Sequence, residues 1–292
     1  MVPRLFGLIY ALFFKALKQE RAFGHSNPYH RYAFDSNWLY QQTSGFDLCE
    51  IHYSYWARLN TACPKVVIVH DIWSDLMWGG TEKETAELSS ADLLVTVSYD
   101  DTLKLLSRGL KNVHWSPPCI EAGEYEDSID TAVVGSGNRH NVEGIDWLRR
   151  GLKKEFPLKI HCFGSIGSHI EADSRFVNHG RYDLASEPYR RCGVVLMLTT
   201  GGTGLQIKGV EALAAGRAII ARKGAMRGFP RDTVGWIEVD TTEEMEEKLL
   251  TLRRDFKLRA KMMGQARDYY MTHLHKRVVL ENLKKEYLKI LR

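Results

Sequence analysis

Four consecutive apolar residues, Val66-Val67-Ile68-Val69, stand between Lys65 and His70. An unbroken, mostly β-branched run has no polar face to turn to water. It suits a strand covered on both sides, as in a parallel sheet with helices on either face. The rest of the chain keeps to that theme. Strand-like segments at 45–53, 92–98 and 112–115 alternate with helical ones at 81–90 and 100–109. Thr81 reads as a helix cap with Glu84, three residues on, as its capping-box partner. Ser116-Pro117-Pro118 and the acidic stretch Glu121–Asp127 have no apolar periodicity and read as a linker. The alternation then restarts. Strands are expected at 131–134, 158–163, 176–180 (an edge), 194–198, 218–221 and 236–239. Helices are expected at 141–154, 188–192, 206–215, 242–252 and 256–291. The reading is an α/β chain of two Rossmann-like domains, 1–118 and 129–272, joined by 119–128. A C-terminal helix over 273–292 would pack back on the first domain.

The 292 residues suit two domains, and 40 Lys+Arg against 36 Asp+Glu give a formal charge of +4. That balance suits an anionic ligand and is far from a nucleic-acid-binding arm. Cys49, Cys63, Cys119, Cys162 and Cys192 form no close pair, which favours a reducing, cytoplasmic compartment over a disulfide framework. Leu5–Phe14 is a nearly continuous apolar run, too short for a bilayer span of roughly 20 residues. It reads either as a buried helix or as an interfacial one, with Arg4, Lys15 and Lys18 at the headgroups of an inner membrane face.

The segment from Thr199 to Gly216 carries the chemistry. It reads as strand, glycine-rich loop, helix, glycine and strand. Gly201, Gly202 and Gly204 let backbone approach phosphate oxygens. The N–H groups that open the following helix point at such an anion. Thr203 and Leu205 complete the loop, Lys208 adds positive charge, and Glu211 can accept from the vicinal hydroxyls of a ribose. A tight strand–helix turn with an exposed glutamate has the same spacing.

This segment resembles the signature of family-4 glycosyltransferases of the GT-B fold: glutamate, seven residues, a second glutamate, then Ala-x-Ala-x-Gly. Glu211 matches the second glutamate, which in that family binds the nucleotide ribose. The first falls on Thr203, so recognition of the sugar would differ here. Ala91–Ser98, Val177–Tyr189 and Gly224–Gly228 resemble further family segments in the right order. The first 44 residues lack the usual opening strand and glycine loop, which implies a shortened acceptor domain. The resemblance implies two parallel sheets facing across a cleft and a nucleotide-diphosphate sugar as donor. It implies a glycan, glycolipid or other hydroxyl acceptor, and retention of anomeric configuration.

Other motifs fit around that reading. Gly135-Ser136-Gly137-Asn138-Arg139-His140 follows the first strand of the second half. His140 stands where a dinucleotide fingerprint has its third glycine, and no acidic residue ends the next strand, so a dehydrogenase is disfavoured. Gly135, Gly137 and Arg139 are instead expected beneath the donor diphosphate, with Arg139 as a phosphate ligand. His70 and Asp71 close the Val66–Val69 strand and are the expected catalytic pair, with Asp75, Trp73 and Trp78 near the acceptor. No Asp-x-Asp triplet or metal-ligand spacing occurs, so no cofactor or metal is expected. Two other activities fit the same fold: a non-catalytic nucleotide-sugar-binding subunit, and an epimerase or phosphorylase.

Overall fold

A computed structural model describes residues 36–291 apart from 77–79, 124, 129, 171–172 and 232–234. The apolar run at 5–14 and Trp78 lie outside the described residues. The chain divides into two compact units. One runs to Ser116 and takes in Leu283–Arg292 again; the other is Pro117–Asn282. Among the described residues no helix is long and apolar enough to cross a membrane.

The first unit holds α1 (Ser36–Gln42), β1 (Cys49–His52), β2 (Lys65–Val69), α2 (Trp73–Leu76), α3 (Thr81–Leu88), β3 (Leu93–Thr96), α4 (Tyr99–Ser107) and β4 (Val113–Trp115). Its four strands are all parallel, in the order β1-β2-β3-β4. All five residues of β2 are buried, as an apolar run covered on both faces requires. Val67 and Val69 pack with Ile51, Leu94 and Leu105 on one face. Val66 and Ile68 pack with Leu93 and Val95 on the other, where Leu283, Tyr287 and Ile290 of the last helix cover them. Ser98 caps α4, its hydroxyl accepting from Asp101 N at 3.3 Å.

The expected cap on α3 is corrected. Thr81 is its first helical residue and left-handed Gly80 is the cap, with no side-chain cap bond. Glu84 turns inward instead. Its carboxylate accepts from Ser54 Oγ (2.7 Å), Trp73 N (2.8 Å) and Ser74 N (3.1 Å). The T-x-x-E spacing is satisfied locally, but the glutamate serves the chain ends at β1 and β2 rather than its own helix.

The second unit holds β5 (Thr131–Val134), α5 (Arg139–Gly151), β6 (Ile160–Phe163), β7 (Phe176–Gly180), α6 (Glu187–Arg191), β8 (Val194–Met197), α7 (Ile207–Ala214), β9 (Ala218–Arg222), β10 (Ile237–Val239), α8 (Thr242–Arg254) and α9 (Phe256–Tyr269). Its parallel sheet runs β10-β9-β8-β5-β6-β7, with β7 at an edge. The order reverses between β5 and β8, the kind of switch point at which such sheets bind ligands. One continuous core packs α5, α8 and α9 on this sheet through Ile145, Leu148, Met245, Leu249 and Met262.

The residues read as a linker are tied to this second unit. Arg259 grips Asp127 with Nε (2.8 Å) and Nη2 (2.5 Å), Tyr270 donates to Ile120 O (2.6 Å), and Gly123 N donates to Ala214 O (3.2 Å). The single helix expected over 256–291 is broken. A π turn at Tyr270–Leu274 follows α9, His275 is extended, and α10 (Lys276–Ile290) begins afresh. Tyr269 and Tyr270 are adjacent, yet both are buried and both donate to carbonyls, of Pro230 and Ile120. A wider turn lets two neighbours face inward, which an unbroken 3.6-residue period does not.

Candidate functional site

The switch point of the second unit opens on a pocket of about 400 Å³. Three connections build it: the turn from β5 into α5, the glycine loop from β8 into α7, and the turn after β9. Asn138 caps α5, its side chain accepting from Asn141 N at 2.9 Å. That phase turns Asn141 toward the glycine loop. Lys208 Nζ donates to Asn141 Oδ1 (2.6 Å) and to Thr199 Oγ1 (3.0 Å), and Thr199 donates to Asn141 at 2.7 Å. Gln206 precedes α7 in extended geometry without a side-chain cap bond. The first N–H groups of that helix therefore meet no capping side chain, the condition for anion binding at a helix start.

The loop's glycines are there for conformation and space. Gly202 has φ +97°, and a Cβ on it would stand 3.0 Å from Arg227 Nη2. A Cβ on Gly201 would run into His140. Arg227 lines the pocket and donates to Thr199 O at 3.2 Å.

The charges are unequal in number and mostly sunk. Burial, with Arg227 nearby, pushes the Lys208 ammonium down to about 8, against the pull of Glu211. Burial raises the Glu211 pKa, opposed by the hydrogen bond from Tyr189 (2.7 Å) and by Lys208. Tyr189 engages one carboxylate oxygen of Glu211, Oε2. Tyr182 lines the same wall, its phenol pushed up by burial and by Glu211. Two cations, one carboxylate and a helix start thus converge on one cavity. Such a site suits a ligand with a doubly charged end and a neutral, hydroxyl-bearing end.

Of the residues expected from the sequence, Gly135, Gly202, Thr203, Leu205, Lys208 and Glu211 line this pocket. Gly137 and Gly204 do not. Gly137 N is committed to Ser165 Oγ at 2.9 Å, and Gly204 is buried beneath the loop. Arg139 does not line the pocket either: its Nε donates to Glu143 Oε1 at 2.7 Å and its side chain is 84% exposed. As the first residue of α5 it points outward, and the i,i+4 partner holds it there. Asn141, Tyr189 and Arg227 were not expected at the site. Asn141 opens the helix expected at 141–154, but only the helix phase set by Asn138 shows that it, and not Arg139, faces inward.

His70 and Asp71 belong to the first unit, at the C-terminal end of β2. His70 Nε2 lies 3.0 Å from His52 Nδ1, and its ring packs on His52 (5.3 Å between centroids) and Tyr53 (4.6 Å). Burial lowers the His70 pKa, His52 adds to this, and Asp71 opposes it. Nearby, Asp101 is 93% buried and its Oδ2 has no hydrogen-bond partner. Burial first, then Asp71, Asp75 and Asp100, push its carboxyl up to about 7.

No family model matches the chain, and no curated protein does. Solved structures are similar to it. HepE of Anabaena, in complex with UDP, superposes with a TM-score of 0.69 at 12% identity, over 86% of this chain and 80% of HepE. TarM gives 0.68 at 14% identity, over 90% of this chain and 58% of TarM. A glycosyltransferase from Rickettsia africae gives 0.69 at 10% identity, over 98% of this chain and 94% of the other. The chain has the α/β architecture of the GT-B fold, with two Rossmann-like units.

Proposed function

We propose that this chain is a glycosyltransferase of the family-4 type, moving a sugar from a nucleotide-diphosphate sugar to an acceptor hydroxyl. One observation carries the reading: Lys208, Arg227, the open start of α7 and Glu211 line a single pocket at the switch point of the second sheet. The diphosphate lies against the cations and the helix start, and the ribose hydroxyls lie on Glu211. The neighbours support the choice of ligand, since HepE is described in complex with UDP and with UDP-glucose.

In the reaction the bond between sugar and diphosphate breaks, and negative charge grows on the leaving phosphate. Lys208, Arg227 and the α7 N–H groups are held in place before that charge appears, so they favour the transition state over the bound donor. Removing one such donor costs on the order of 10²–10³ in rate. Positive charge from these side chains does the work a metal ion would otherwise do, which is the basis for proposing metal independence. The acceptor, a glycan, glycolipid or other hydroxyl compound, binds at the His70 and Asp71 end of the first unit. Retention of configuration is part of the family-4 proposal.

A second reading, a subunit that binds the donor without transferring it, draws on Thr203 standing where the family pattern has its first glutamate. Calorimetric titration with UDP, GDP, ADP and their common sugars tests the donor site. One nucleotide should bind in the micromolar range, and Glu211→Ala should lose about 1.5 kcal/mol or more, as for a hydrogen bond to a charged group. Binding unchanged by Glu211→Ala would refute the site. Incubating the bound donor with candidate acceptors, and following sugar transfer, separates the two readings.

A further inference from the structure

Strand β1 places Glu50 and His52 two residues apart, on one face of the sheet. Register pairs His52 with Ile68, so His70, two residues on, shares that face. The three side chains form a line. His52 Nε2 lies 2.9 Å from Glu50 Oε1, and His52 Nδ1 lies 3.0 Å from His70 Nε2. Tyr287 of α10 donates to the other glutamate oxygen at 2.5 Å. At the end of the line Tyr53 holds φ +74°, the sole positive φ at a non-glycine among the described residues, with its ring against His70. A strained backbone kept beside a hydrogen-bonded chain of this kind marks a built arrangement.

The protons follow from the acceptors. A carboxylate only accepts, so His52 carries its proton on Nε2. When His52 is neutral its Nδ1 is bare and must accept, so His70 donates from Nε2 and presents a bare Nδ1. When His52 takes up a proton it donates from both nitrogens. His70 Nε2 must then accept, and neutral His70 carries its proton on Nδ1. Burial lowers the His70 pKa, which favours its neutral form. The groups that face the line are Glu50, Tyr287, Tyr53 and Asp71.

We propose that Glu50 and His52 are positioning residues that set, by the proton count on His52, whether His70 offers a hydroxyl-accepting or a hydroxyl-donating Nδ1. With His52 neutral, the bare Nδ1 accepts a hydrogen bond from the acceptor hydroxyl and orients it; with His52 protonated, Nδ1 can only donate. The catalytic role rests on the function proposed above; the tautomer switch does not.

Nitrogen-15 NMR of the histidine rings across pH, in the full chain, tests it. His70 Nδ1 should change from bare to protonated as His52 takes up its proton. His52→Phe keeps the ring packing and should abolish that change. Glu50→Gln should move it to lower pH, by about one unit, since the anion that holds the His52 proton is gone. In a transfer assay the acid limb of kcat/KM should move with it, a tenfold gain at the acid end that a merely structural role for Glu50 would not produce. An unchanged His70 Nδ1 through the His52 titration, or a His52→Phe protein that still switches, would overturn the proposal. Nucleotide affinity serves as the folding control. If the switch is seen but no transfer occurs, the function proposed above falls and the switch stands; transfer without the switch gives the reverse.

Discussion

Lys208 makes the donor pocket testable without an acceptor. Its ammonium sits at about 8 because burial and Arg227 disfavour the charge. A diphosphate placed beside it reverses both effects, so the bound complex should hold the Lys208 proton to a higher pH. The sign follows from linkage: affinity is level below pH 8, where both states are protonated, and falls as pH rises further, because binding must then take up a proton. A full return to the ordinary value of 10.5 spans about two and a half factors of ten, or about 3 kcal/mol. The diphosphate is fully ionised above about pH 7.5, since its last pKa lies near 6, so it does not confuse the slope. Calorimetry in two buffers of different ionisation enthalpy reads the protons directly. Uptake should be about half a proton at pH 8 and close to one at pH 9. Lys208→Met should bind more weakly at pH 7 and take up none. No uptake at pH 9, or the same uptake in Lys208→Met, would refute the placement of the diphosphate at this lysine.

Three further outcomes follow from the structure. Asp101 titrates near 7 in the folded chain against 3.8 as its ordinary value. The folded state therefore holds an extra proton between these values, and stability falls as pH rises from about 4 to 7. Asp101→Asn should then raise the unfolding free energy at pH 8 by at most about 4 kcal/mol and leave it unchanged at pH 3, measured by denaturant melts. Glu84→Ala strands the half-buried N–H groups of Trp73 and Ser74 and should destabilise by about 1–3 kcal/mol in the same assay; a loss under 0.5 kcal/mol would show that water replaces the carboxylate. Arg139→Ala, which removes a solvent-facing side chain paired with Glu143, should change nucleotide affinity by less than about twofold. A tenfold loss would restore it to the phosphate site.

What the sequence yields, and where it stops, follows from the range of each signal. The apolar run Val66–Val69 and the Thr131–Val134 segment identify strands because burial on both faces leaves its mark in consecutive residues. Lys208 and Glu211 are legible because the loop and helix that present them are contiguous. Arg227 and Asn141 come from two other connections, and nothing periodic links them to the loop they meet. The choice of Asn141 over Arg139 turns on helix phase, which one capping residue decides. Glu84 shows the opposite error. A capping-box pattern is a local statement, and the half-buried N–H groups after β2 made a stronger claim on the same carboxylate.

The two units answer the problem of buried charge in the same sense, with opposite kinds of group. In the second, a cation is held at the edge of losing its proton until an anion arrives. In the first, an acid and an imidazole, Asp101 and His70, are pushed toward their neutral forms by the same burial. Each unit alone therefore avoids much of the cost of a desolvated ion, which in a protein interior runs to several kcal/mol. The charge a ligand brings then completes the second site rather than competing with charge already there. On the proposed reading this has a kinetic meaning. Above pH 8 a donor's diphosphate recharges Lys208 on binding, so there the cation that stabilises the leaving group is present in full only when there is a leaving group to stabilise. Product release requires the reverse, and the lysine that shed its proton most readily in the empty pocket is also the one whose grip weakens as pH rises. Donor affinity and release of the nucleotide product should accordingly change together with pH above 8, as one equilibrium at Lys208 and not as two independent steps.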